Sequence, residues 1–185
     1  MRTIFVVVSV IVASSAGQSQ EAAPFPPAPS TVSSVATIVD AGEPGEPLRI
    51  TGRVFRSDKK TPFAGLVLYI YQTDASGVYN KTDNYYGRPR LYGWVKTDEQ
   101  GNYEIRTIRP GSYPGRKEAA HIHVTAKFPG SPARWLESYL FSGDPNLSSM
   151  ERDSPDKLGR FSHVLVASKS SDGTLTAFRD FSLAN

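Results

Sequence analysis

The sequence predicts an all-β fold, an antiparallel β-sandwich of about eight strands with long loops and little helix. Three observations carry that expectation. From Leu48 onward, short runs alternate apolar and polar residues or are apolar on both faces. Turn chemistry separates these runs, at Asp98-Glu99-Gln100-Gly101, Pro110-Gly111, Pro129-Gly130, Gly143-Asp144-Pro145 and Ser171-Asp172-Gly173. No long stretch keeps the apolar period of an amphipathic helix. With 185 residues, of which 39% are hydrophobic and 21% charged, the chain is long enough for one domain with a real core.

Taken in order, Met1-Arg2 gives a basic start and residues 3–13 an almost unbroken apolar run, followed by Ser14-Ser15-Ala16. This is the pattern of a secretory signal peptide over residues 1–16, with cleavage after Ala16. The run is shorter than the ~20 residues of a spanning helix. The mature chain is therefore expected to be secreted or periplasmic, and loss of Arg2 would take its net charge from +3 to +2. Residues 17–46 are rich in Ala, Pro, Ser and Glu and read as a flexible or polyproline-like arm. The domain is expected over residues 47–185. Leu48, Ile50, Gly52 and Val54 alternate with Arg49, Thr51 and Arg53, a half-buried strand. Residues 65–72 are apolar on both faces, as in a central strand. Further strands are expected near 94–97, 103–108, 121–128, 136–141, 163–169 and 174–181, the last two joined as a hairpin by Ser171-Asp172-Gly173. Short helical turns are expected near 146–152 and 156–158.

Composition excludes several chemistries. There is no cysteine, which removes disulfides, thiolate zinc sites, iron–sulfur clusters and cysteine nucleophiles. The 21 Lys+Arg and 18 Asp+Glu are interspersed, so no nucleic-acid partner is expected, and no membrane partner once the leader is gone.

The sharpest local feature is Ala119-Ala120-His121-Ile122-His123. On a strand, side chains two apart share a face, so both imidazoles can meet one ion while Ile122 packs behind them. Copper, zinc and iron all accept imidazole, so the pair does not choose the metal. Further ligand candidates are His163, Glu118, Glu137, Asp144 and the tyrosines, which cluster at Tyr69, Tyr71, Tyr79, Tyr85, Tyr86, Tyr92, Tyr103 and Tyr113. Most of these read as core or surface aromatics. Tyr79 closes the Ser76-Gly77-Val78 turn after a buried strand, and Tyr113 sits in the rigid loop Pro110-Gly111-Ser112-Tyr113-Pro114. A zinc or copper site of His121, His123 and His163 is an alternative.

Several segments, in order, resemble the intradiol ring-cleavage dioxygenases, the catechol and protocatechuate dioxygenases. They are Ile70-Tyr71-Gln72-Thr73-Asp74-Ala75-Ser76-Gly77-Val78-Tyr79, the run from Lys96 through Arg109-Pro110-Gly111-Ser112-Tyr113-Pro114, and Ala120-His121-Ile122-His123. Phe141-Ser142-Gly143-Asp144-Pro145 and the closing run from Leu175 to Leu183 extend the resemblance, which is to the short, secreted, stand-alone branch of that family. It implies a mononuclear non-haem Fe(III) held by Tyr79, Tyr113, His121 and His123, with Tyr113 and His123 axial and Tyr79, His121 and a hydroxide equatorial. Fe(III), two phenolates and one hydroxide sum to a neutral centre, which a partly buried site tolerates. The implied substrates are a catechol and O2, the products cis,cis-muconate-type acids, and Tyr113 the group that leaves the metal and takes a substrate proton.

The family's usual Arg three residues before the first ligand histidine is Glu118 here, with Arg116 as the expected substitute, and its usual later Gln aligns with Ser138. Arg116, Glu118 and Ser138 are thus expected to face substrate. A second reading comes from Gly52-Arg53-Val54-Phe55-Arg56-Ser57-Asp58 and Gly65-Leu66-Val67-Leu68-Tyr69, which resemble transthyretin-like and carboxypeptidase-regulatory-like domains. That reading is a non-catalytic binding module.

Overall fold

The computed structural model describes residues 23–80, 89–153 and 159–184. The expected leader and the expected helical turn at 156–158 lie outside the described residues. Of the described residues, 39% are in strands and 3% in helix. No helix among the described residues is long and apolar enough to cross a membrane.

Two sheets face each other. The first contains β1 (Val35–Thr37), β2 (Pro47–Arg56), β5 (Asn102–Ile108), β9 (Ser168–Lys169) and β10 (Leu175–Phe178), in the order β1-β5-β2-β10-β9, with β11 (Phe181–Leu183) also on β2. The second contains β3 (Val67–Gln72), β4 (Leu91–Lys96), β6 (Ile122–Lys127), β7 (Arg134–Phe141) and β8 (Val164–Leu165), in the order β4-β3-β6-β7-β8. One short helix, α1 (Ser149–Asp153), follows β7.

Strand alternation fills the space between the sheets. Leu48, Ile50 and Val54 of β2 and Ile105 of β5 meet Leu68 and Ile70 of β3, Val95 of β4, and Ile122, Val124 and Ala126 of β6. Burying every second residue of β6 turns His123 and Thr125 to the outer face, since a slip by one would exchange the two sets. The site therefore lies outside the second sheet.

Three features depart from the sequence reading. The sheets are mixed, because β1–β5, β2–β10, β2–β11 and β7–β8 pair in parallel. The segment expected as one strand over 163–169 gives β8 to the second sheet and β9 to the first, so it crosses between them. Arg179 and Asp180 likewise divide the strand expected over 174–181. Residues 23–46, part of the stretch expected as a flexible or polyproline-like arm, are largely exposed but touch the domain at several points. β1 pairs with β5, Ile38 is buried, and the carbonyls of Pro24 and Pro26 accept hydrogen bonds from the Thr125 hydroxyl (2.8 Å) and the Trp94 indole (3.2 Å).

Arg179 is 2% exposed and anchors a polar network inside the sandwich. Its guanidinium donates to the Glu137 and Ser138 carbonyls (2.6 and 3.3 Å) and to the Glu137 carboxylate (3.2 Å). Its own carbonyl accepts from the Tyr103 hydroxyl (2.7 Å), which accepts from Tyr139 (3.0 Å). These carbonyls belong to a bulge, because Ile122 pairs with Tyr139 but Val124 with Leu136. Bulges of this kind re-aim side chains beside functional sites.

Candidate metal centre

Two loops and one strand bring four rings together. After β3, the Asp74 carboxylate accepts from the amides of Ser76 (2.9 Å) and Val78 (3.1 Å) and from the Ser76 hydroxyl (2.7 Å), closing the turn that leads to Tyr79. The Arg90 amide donates to the Tyr79 carbonyl (2.9 Å), and its guanidinium pairs with Glu43 and lies 3.5 Å from Asp74. The Tyr113 loop locks onto that turn: Gly111 donates to the Asp74 carbonyl (2.9 Å) and accepts from the Thr73 hydroxyl (2.8 Å). Gly77, at φ 83°, passes so close that a β-carbon there would sit 1.9 Å from the Ser112 carbonyl oxygen. Only glycine fits that crossing.

The four polar atoms converge. The Tyr79 and Tyr113 hydroxyls are in direct contact. His123 Nε2 lies 2.8 Å from the Tyr79 oxygen, 3.0 Å from His121 Nε2 and 3.4 Å from the Tyr113 oxygen, and His121 Nε2 lies 3.3 Å from Tyr113. His121 Nδ1 is 2.8 Å from the Ala119 carbonyl. A proton at Nδ1 makes that bond and leaves Nε2 with a free lone pair toward the centre. Tyr71, opposite His123 across β3 and β6, stacks on its imidazole at 4.5 Å and 20°.

Without a cation this arrangement resists charge. Burial, then the neighbouring His121, pushes the His123 imidazole down to about 3. Burial, then the contact with Tyr113, pushes the Tyr79 phenol well above its ordinary range, with Glu118 adding to it. Both shifts come from crowding polar groups in a half-dry place, and a cation at the centre would reverse both. The donor set is two phenol oxygens and two imidazole nitrogens, with no soft ligand. That set fits ferric iron, since hard phenolates favour a hard trivalent ion. The described residues contain no group of three or more His, Cys, Asp or Glu placed to hold a metal.

A cavity of about 440 Å³ opens beside the histidines, lined by Lys117, Glu118, Glu137, Ser138, Leu140, Asn146, Glu151 and His163 among others. Of the expected substrate-facing residues, Glu118 and Ser138 line it. Arg116 does not: it is exposed, with its guanidinium 5.7 Å from the centre of the Tyr113 ring. His163 lies 3.7 Å from Glu137 in the cavity wall. Asp144 is no ligand, because its buried carboxylate accepts from the amides of Ala120 (3.1 Å) and Asn146 (2.9 Å) and so holds the approach to His121. Sequence reasoning set Tyr71 aside with the other tyrosines. Pairing β3 with β6 in register would have found it.

Comparisons with known proteins agree with this geometry. The family model for dioxygenases matches residues 24–151. The protocatechuate 3,4-dioxygenase beta chain of Burkholderia cepacia is 34% identical over 113 residues, covering 54% of this chain and 46% of that one, so the match spans about half of the relative's length. The dioxygenase domain of a dioxygenase–carbohydrate-binding fusion from Streptomyces sp. SirexAA-E superposes with a TM-score of 0.64 at 26% identity, over 89% of this chain and 97% of that one. An intradiol ring-cleavage dioxygenase from Tetranychus urticae superposes with a TM-score of 0.59 at 21% identity, over 89% and 93% of the two chains, a likeness of fold. With a family match over most of its length and two tyrosines and two histidines meeting at one point, the chain belongs to the intradiol ring-cleavage dioxygenase family.

Proposed function

We propose that the protein is an exported Fe(III)-dependent intradiol dioxygenase that cleaves catechols with O2 to cis,cis-muconate-type acids. One observation carries the reading: the convergence of Tyr79, Tyr113, His121 and His123 at the mouth of a cavity large enough for a single substituted ring. A non-catalytic module has no use for that set. Held by these four residues, Fe(III) would supply the Lewis acidity that a catechol's two oxygens need for the ring to react with O2. The overall change balances as catechol plus O2 giving one muconic acid, with both oxygen atoms retained.

The chain's own groups have separable tasks. The Ala119 carbonyl and the Tyr71 ring fix the two imidazoles in place before any ligand arrives. The Tyr113 phenol oxygen, carried on a loop, can take a substrate hydroxyl proton. Glu118, Glu137 and Glu151 outnumber Lys117 along the wall, which favours catechols without an acidic substituent. Arg116 lies over Tyr113, a position from which to stabilise charge there.

The test is spectral and chemical. The iron-loaded protein should be burgundy to red-brown from tyrosinate-to-iron charge transfer, and should turn catechol and 4-methylcatechol into muconates. A yellow semialdehyde product, or a colourless protein with iron bound, refutes the reading. Protocatechuate should be the poorer substrate, and Glu118→Arg should raise its kcat/KM about tenfold, equal to about 1.4 kcal/mol of transition-state binding. Export is checked by the N-terminus of the mature protein, expected at Gly17.

A further inference from the structure

The outer face of the second sheet carries a row of rings that neither the core nor the ligand set requires. Tyr71, stacked on His123, lies 5.5 Å from Tyr69 between ring centres. Tyr69 in turn lies 5.4 Å from Trp94 and 6.1 Å from Tyr92. On the other side of His123, Trp135 is 5.7 Å away, and 6.4 Å from Tyr71. Both ends reach water, Tyr92 at 44% exposure and Trp135 at 47%, while the middle ring, Tyr69, is 3% exposed. Phe25 of the arm packs edge-on against Tyr69 at 6.2 Å, completing its cover. Tyrosine and tryptophan are the most readily oxidised ring side chains. Here they form neighbouring steps from a ligand imidazole to the surface, insulated in the middle and open at the ends.

We propose that these rings carry oxidising equivalents away from the metal centre, so that peroxide reduced in the cavity damages the surface instead of the four ligands. The inference rests on the functional reading above, because only a redox-active metal calls for such a path. The chemistry balances without a further reagent. Hydrogen peroxide takes up two electrons and two protons and leaves as two water molecules. The Tyr92 phenol and the Trp135 indole each give up one electron and one O–H or N–H proton, and each becomes a neutral radical at the surface. Tyr69 and Tyr71 exchange electrons with their neighbours in turn and end unchanged. A catechol in solution can then restore each radical by donating a hydrogen atom.

The experiment challenges iron-loaded protein, its iron content measured first, with hydrogen peroxide in the absence of catechol. Oxidised residues are mapped by peptide mass spectrometry while iron retention is followed. Wild type is expected to collect oxidation at Trp135, Tyr92 and Trp94 and to keep its iron. The double variant Tyr71→Phe, Trp135→Phe keeps rings at both positions but removes their oxidisable groups. It should shift oxidation to Tyr79, Tyr113, His121 and His123 and lose iron several times faster. Trp135→Phe alone, the milder change, should move oxidation toward Tyr92 and Trp94. Wild-type oxidation falling mainly on the four ligands, or an unchanged map in the double variant, overturns the proposal. Absence of bound iron at the start overturns the functional reading and this inference with it, and is seen before any peroxide is added.

Discussion

The molecule holds two clusters of polar side chains, one buried around Arg179 and one half-buried at the candidate metal centre, that behave oppositely. In the Arg179 network every hydrogen bond runs from a donor to an acceptor: Tyr139 to Tyr103, Tyr103 to the Arg179 carbonyl, and the guanidinium to the Glu137 and Ser138 carbonyls. At the metal centre, two phenols and two imidazoles press their heteroatoms against one another, and one of the four finds a backbone partner, His121 at Ala119. The first is a chain of donors matched to acceptors, in which the Arg179 Nε is buried without a partner among the described residues. The second is a set of vectors that meet at a point. Matched pairs stabilise a fold by themselves, whereas heteroatoms that converge on one point can be stabilised further by a cation.

Substitutions should separate the two. Tyr139→Ala empties a site that is 0% exposed in the core and should cost about 3–5 kcal/mol of stability. Denaturant unfolding measures that loss, while the folded fraction still binds one iron per chain. His121→Ala should do the reverse. It should abolish iron binding, and with it the stabilisation that a tight ligand confers, about 4 kcal/mol at a thousandfold excess over Kd. Calorimetry with and without iron reads the difference: two separate transitions for wild type, coincident ones for the variant, and a metal-free midpoint close to that of wild type. Coincident wild-type transitions would mean that the four rings are structural after all.

A smaller effect depends on pH. Burial, with His121 second, holds folded His123 at about 3 against an ordinary 6.5. Between those values the unfolded chain binds a proton that the folded chain refuses. Metal-free stability should therefore fall as the pH drops from about 6.5 toward 3, by up to about 1.4 kcal/mol per unit. His123→Gln, followed by urea unfolding at pH 7 and 4.5, should flatten that slope. A slope that persists in the variant would trace to other groups.

The two clusters also differ in how far the sequence reveals them. The four residues of the candidate metal centre stand in short, contiguous patterns, a His-x-His on an alternating strand and two tyrosines beside Gly/Pro turns, and the family resemblance picks those two tyrosines from the others. The face to which His123 turns follows from the apolar Ile122, Val124 and Ala126 around it. Arg179 is invisible in such patterns, because an arginine between Phe178 and Asp180 reads as surface charge. Its burial depends on the close approach of β10 and β11 to the β7 bulge, a meeting of segments about forty residues apart. Tyr71 is hidden for a related reason, since its role rests on the β3–β6 register. β1 is obscured by its Ala/Pro/Ser surroundings, and the division of residues 163–169 between sheets reflects which edge each half finds free. Periodicity gives the faces of strands; it does not give their neighbours.

The docked arm has a consequence for the order in which the molecule assembles. Its partners, Tyr69, Trp94 and Thr125, lie on β3, β4 and β6, and β1 needs β5. The partners of this stretch thus follow it at a distance, Trp94 by 68 residues from Pro26 and Thr125 by 101 from Pro24. Contacts of such long sequence separation are slow to form because their loop closure must be offset by structure that is already there. Only when β6 is in place does Thr125 present a hydroxyl to Pro24, so the cover over the aromatic face depends on a strand far along the chain.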